Sequence, residues 1–177
     1  MNNFFKTLAL TTLAAVATAT PAMARSSHQA HVALSRAVEA TGISVYVNDP
    51  YCDEVKALGL YSAGAKAILI CQENRIPGST QTVAWTEEDY DTLRHEAHHL
   101  VQDCRDGSLN AELASVYKRP IELGYEWLGK DGTNWVAESY ARAGASGHIQ
   151  VMEIEAFAVA RMNDPAEQIR DIRNFCF

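Results

Sequence analysis

The sequence predicts an α+β fold with helix in excess: a small N-terminal β-sheet packed on the helix that follows it, then a mainly helical C-terminal half. Three observations carry this. The strand-type runs, Ile43–Val47 and Ala67–Cys71, both fall in the first half of the chain. A helix with a strong start signal opens at Thr86. Beyond Pro120 every segment has helical character, punctuated by Gly and Pro.

The elements follow in order. Residues 1–24 hold one base, Lys6, and no acid, and run through the apolar stretch Leu8–Ala19 to Pro21 and Ala22-Met23-Ala24. A weakly positive start, a short apolar centre and small residues at the end make a secretory signal, with cleavage expected after Ala24. The apolar centre is too short for a bilayer, which needs about 20 residues. Residues 25–177 are then expected to form a single domain, exported to the periplasm or the medium. A first helix is expected over 26–41, with Val32, Leu34 and Val38 inward and Gly42 ending it. Ile43–Val47 alternates with period two and stops at Asn48-Asp49-Pro50, a half-buried strand. Residues 59–64 are turn-like or extended, and Ala67–Cys71 is an apolar run suited to a strand buried on both faces. Residues 74–80, with Pro77-Gly78, form a loop. Thr86 is an N-cap followed by Glu87, Glu88 and Asp89, acids where the helix dipole favours them. That helix runs to about Asp103, with Gly107 beyond it. Further helices are expected over 121–128, 134–143, 148–163 and 166–175.

The 177 residues carry 22 acids against 15 bases, a net charge of −7. A nucleic-acid or anionic-membrane surface needs a basic face, so both partners are excluded, and no run in the mature chain is long enough to span a membrane. Four cysteines in an exported chain predict two disulfides. The preferred pairing is Cys52 with Cys71 and Cys104 with Cys176. No C-x-x-C spacing exists for a thiolate zinc site, and the even count argues against a Cys–His hydrolase.

Within the capped helix lies His95-Glu96-Ala97-His98-His99, an H-E-x-x-H motif. With 6 His in the chain, random placement yields roughly 0.015 copies. Histidines four apart project from one helical face and can hold one metal ion; Glu96 sits beside it as a base. Tyr90, Leu93, Ala97, Leu100, Val101 and Cys104 form the packing stripe, between about −20° and +80° with Leu93 at zero. His95, His99 and Gln102 fall between about 180° and 240°, away from it, and His98 falls near 140°. His98 is therefore expected to act behind the ligands or at the surface. His28 and His31 are expected to be inert, and His148 to be a loop histidine.

Catalytic zinc needs a third protein ligand. Gln102 and Arg105 stand where a three-histidine extension of the motif requires Gly and His. The remaining source is a carboxylate on a later helix. Glu155 is flanked by Val151, Ala158 and Val159, so its charge is expensive unless paired or metal-bound. It is preferred over Glu153, with a salt bridge to Arg94 or Arg142 as the structural alternative. Tyr140, Tyr125 and His148 have the right chemistry to stabilise an oxyanion, and Asp103 or Glu138 to orient the histidines.

On His95-Glu96-Ala97-His98-His99-Leu100-Val101-Gln102 and Glu155-Ala156, the chain resembles the zincin metallopeptidases, in the gluzincin-type branch with two His and one Glu as ligands. The resemblance implies a zincin-like fold, a small sheet on the active-site helix with a second helix returning across it. It implies Zn2+ on His95, His99 and Glu155, with Glu96 as general base in the hydrolysis of a peptide or protein substrate. The alternatives are a non-catalytic zinc-binding or interaction protein on the same scaffold, and a disulfide-stapled structural domain.

Overall fold

The computed structural model describes the backbone of residues 21–177 apart from Lys56 and Ser108, and side chains from Ser27 onward. The expected signal sequence lies outside the described residues except for Pro21–Ala24, which begin the first helix.

Helix α1 (Pro21–Ala40) leads into strand β1 (Ser44–Val47), a short 3-10 turn at Pro50–Asp53, and the hairpin β2 (Gly59–Ser62) and β3 (Ala67–Ile70). Helix α2 (Glu87–Asp103) follows, then α3 (Pro120–Trp127), α4 (Gly129–Arg142), α5 (Gly147–Met162) and α6 (Pro165–Phe175). The three strands are ordered β1-β3-β2, with β1 parallel and β2 antiparallel to β3. The fold is α+β, with a small sheet and mostly helix, as the sequence predicts. Two differences are instructive. Residues 59–62 form a full edge strand although Gly59 weakens its β pattern; α2 packs directly on it. Helix α4 starts at Gly129 rather than 134, so Gly132 lies inside its first turn and does not end anything.

Helix α2 is the centre of the molecule. Thr86 accepts from the Asp89 N–H while the Asp89 carboxylate accepts from the Thr86 N–H, a reciprocal cap. The helix continues into a 3-10 turn, Cys104–Asp106, which ends at Gly107, whose φ of 88° favours glycine. Leu93, Ala97, Leu100, Val101 and Cys104 join Leu34 and Val38 of α1, Ile43 just before β1, Ile68 and Ile70 of β3 and Ile172 of α6 in the main core. The opposite face of α2 is covered by α5, so every residue from His95 to Cys104 is buried.

Disulfides join Cys52 to Cys71 and Cys104 to Cys176, and no described cysteine is free. The first staples the 3-10 turn to the end of β3; the second ties the chain end to the foot of α2. Such bonds persist in oxidising compartments. No described helix is long and apolar enough to cross a membrane.

Candidate metal centre

His95 and His99 stand one turn apart on the α5-facing side of α2, with their Nε2 atoms 3.0 Å from each other. Glu153 of α5 reaches into the gap: its Oε2 lies 3.2 Å from His95 Nε2 and 3.4 Å from His99 Nε2. One ligand atom from each residue fits within a 4.8 Å cluster, and all three residues are buried. The structure therefore brings Glu153, not Glu155, to the two imidazoles.

Glu155 is corrected to a different role. It is fully buried, as its flanking residues predict, but its carboxylate turns away from the His95/His99 pair, toward His98, Gln102 and residues 115–117. There Oε1 accepts from His98 Nε2 at 2.9 Å, Gln102 Nε2 at 3.1 Å and the Val116 N–H at 2.9 Å. Oε2 accepts from the Tyr117 N–H at 3.2 Å and the Ser115 hydroxyl. These donors outweigh burial and hold the carboxyl below its ordinary range. Neither arginine considered for it makes contact: Arg94 bonds Asp91, His31 and the Ala160 carbonyl, and Arg142 pairs with Glu138.

Electrostatics at the cluster are set by burial and by Glu153. Burial alone pushes an imidazole down, yet the adjacent Glu153 charge overrides it and raises His99 to about 9. Burial pushes the Glu153 carboxyl up, and the two imidazoles overcome this to hold it far below the usual range. Glu153 Oε2 nevertheless has no hydrogen-bond donor among the described residues, and His95 Nδ1 has no partner there either. His99 Nδ1 is 2.8 Å from Gln102 Oε1.

Glu96 lies next to the pair, buried, with its carboxyl raised mainly by desolvation. It rests on strand β2 at Gly59, where an added Cβ would stand 2.5 Å from Glu96 Oε1. Glycine is required there for close approach, which explains a weak strand residue at this position. A cleft of about 80 Å³ opens beside the cluster, lined by His95, Glu96, Tyr140, Phe157, Gly59 and Glu88 among others. Of the three oxyanion candidates, only Tyr140 lines it. Burial and the Glu153 charge push the Tyr140 phenol well above its ordinary range. Tyr125 is exposed, and His148, expected in a loop, stands instead in the first turn of α5, where it donates to the Leu113 carbonyl.

Other expected supports fall elsewhere. Asp103 accepts from the Tyr61 hydroxyl at 2.5 Å and from the Asn110 and Ala111 N–H groups, and Glu138 is exposed. His98 is buried behind the site and held by Glu155. His31, expected to be inert, is buried against Tyr90 and accepts from Arg94 Nη1 at 2.6 Å; desolvation lowers it to about 4. Gln102 is the contact that sequence reasoning missed as a support, although the wheel placed it on the histidine face.

No curated protein and no solved structure matches the chain. One family profile does, described as a domain of unknown function, DUF8637, and it covers residues 23–177. The chain belongs to the DUF8637 family.

Proposed function

We propose that the chain is a zincin-like, zinc-dependent hydrolase of peptide bonds, working outside the cytoplasm. The observation that carries this reading is the convergence of His95, His99 and Glu153 next to Glu96 at the edge of a cleft. The residues fit a zinc ion. Two imidazole nitrogens 3.0 Å apart and a buried carboxylate oxygen with no hydrogen-bond partner among the described residues converge on one point. A cation among them satisfies all three, and two His with one carboxylate is a catalytic zinc donor set that leaves a position open.

A bound zinc ion supplies Lewis acidity, lowering the pKa of a coordinated water from 15.7 towards about 7 and polarising a carbonyl oxygen. The chain's own residues do the rest. His95, His99 and Glu153 would hold the ion. Glu96, whose buried carboxyl has a raised proton affinity, takes the proton from the attacking water and returns it to the leaving amine. Tyr140, kept protonated by its surroundings, donates to the oxyanion that develops at the scissile carbonyl. Phe157 and Leu58 line the cleft beside this machinery and exclude water from it.

The test combines metal analysis of protein purified without a histidine tag and turnover of a mixed peptide library. One zinc per chain with cleavage by wild type and none by Glu96→Gln supports the proposal. Stoichiometric zinc with equal inactivity in both proteins defeats the hydrolase assignment, and zinc content unchanged by His95→Ala or His99→Ala defeats the site.

A further inference from the structure

Resting on the zinc reading above, we infer that Gln102 is a positioning residue: its side-chain amide, oriented by Glu155, makes His99 Nδ1 a donor and leaves His99 Nε2 to face Glu153.

The inference follows from donor and acceptor accounting in a site without solvent. Gln102 and Glu155 are both fully buried. An amide side chain has a donating end and an accepting end, and a carboxylate only accepts. One end of Gln102 lies 3.0 Å from the Met152 carbonyl and 3.1 Å from Glu155 Oε1, both acceptors, so that end is the NH2 group. Rotating the amide by half a turn would press its oxygen against two oxygens. The accepting end therefore faces His99 Nδ1 at 2.8 Å, and His99 must carry a proton there. A neutral imidazole with hydrogen on Nδ1 has its lone pair on Nε2.

Glu155 keeps this arrangement from relaxing. It is pinned by His98, Ser115, Val116 and Tyr117, so it cannot swing away from Gln102. The order thus runs from the 115–117 segment through Glu155 and Gln102 to His99. His95 differs: its Nδ1 is buried with no partner among the described residues. Side chains of the protein preset one histidine of the pair and leave the other adaptable.

Two measurements on the full chain test this. The first is 15N NMR of histidine-labelled protein, metal-free and zinc-loaded; wild type should show a slowly exchanging His99 Hδ1 proton in both states. The second is zinc affinity by competition with a chromophoric chelator, alongside the melting temperature. Gln102→Met, of similar shape but without an acceptor, should lose the slow exchange of Hδ1 and bind zinc about 10–100-fold more weakly. Gln102→Glu keeps an acceptor for Nδ1–H but places a second charge beside Glu155. It should lower the melting temperature yet weaken zinc by less than about tenfold. Affinity that simply tracks melting temperature across the two variants means Gln102 only packs, and overturns the inference. Absence of the Hδ1 proton in the wild type overturns it even should both variants fail to fold. Wild type that binds no zinc defeats the proposed function instead, while the slow exchange of Hδ1 and its loss in Gln102→Met still report on the positioning.

Discussion

Replacing each of the two acids of α5 in turn separates the proposed metal ligand from a structural anchor. Glu155→Ala strands three donors that have no other acceptor among the described residues, His98 Nε2 and the Val116 and Tyr117 N–H groups, while Gln102 Nε2 keeps the Met152 carbonyl. Ser115 already has a second acceptor in the Tyr117 carbonyl. Even at the low end of about 1 kcal/mol for each unsatisfied buried group, the substitution costs about 3 kcal/mol. That is a large part of a total stability of about 5–15 kcal/mol, and lowers the melting temperature by about 6–12 °C. Glu153→Gln behaves differently. Its two neighbours are imidazoles, and His99 can shed its proton once the neighbouring charge is gone. No buried charge is left behind, so metal-free stability should change by about 1 kcal/mol, the ordinary size for a point substitution.

Zinc reverses the ranking. Binding to the folded state alone stabilises by about 2.7 kcal/mol at a hundredfold excess over Kd. Wild type should therefore melt several degrees higher with zinc, and Glu153→Gln should lose that rise. Thermal unfolding followed by circular dichroism, with and without zinc, reads both effects. The reasoning is refuted if Glu153→Gln keeps the full zinc-induced rise while Glu155→Ala abolishes it at an unchanged metal-free melting temperature.

Glu96→Gln should eliminate peptide turnover and retain zinc. Because burial raises this carboxyl, the folded chain keeps a proton that the unfolded chain releases above the ordinary value of 4.5. Metal-free stability therefore falls as pH rises from there, and urea melts between pH 4 and 8 should show a shallower fall in the Gln variant. Gly59→Ala places a methyl 2.5 Å from Glu96 Oε1 and 2.6 Å from Thr92 Cγ2. It should cost about 1–3 kcal/mol and depress kcat by displacing the base, with chelator competition showing zinc affinity unchanged. Removing the Cys104–Cys176 bond with paired serines releases a loop of 72 residues. The expected loss is about 4 kcal/mol in non-reducing urea titrations, and a loss below about 1 kcal/mol would contradict the loop-entropy account.

Helix α2 was legible because its signals are local and agree with one another. Thr86 with its acids, a stripe at spacings of three and four, and a terminal glycine all specify the same element. The disulfides were legible from count and segment order. Strand β2 was not, since Gly59 and Ser62 lack strand character and the strand exists through pairing with β3 and packing under α2. The start of α4 was hidden by Gly129 and Gly132, which read as breaks. The short approach of Gly124 to Thr133 and Ile154 shows that tertiary packing fixes this corner.

The choice between Glu153 and Glu155 exposes a limit of burial arguments. A helix with one packed face reveals which acid points inward, but α5 is buried from Met152 to Ala156 and again from Ala158 to Ala160. With Glu155 at zero and about 100° per residue, Ala156 falls near 100° and Glu153 near 160°. The two carboxylates flank Ala156, and both reach α2, one to His95 and His99 and the other to His98 and Gln102. A charge among Val151, Ala158 and Val159 does demand compensation, and that inference from sequence holds. What compensates it is another matter: backbone N–H groups of a loop some 40 residues earlier in the chain serve as well as a cation. Such a loop has no side-chain signature, because the donors at 116 and 117 are main-chain groups that every non-proline residue possesses. Orphaned acceptors decide between the two acids, and those become visible only when the neighbours are in place. Glu155 has its full set of donors; Glu153 Oε2 has no hydrogen-bond partner among the described residues.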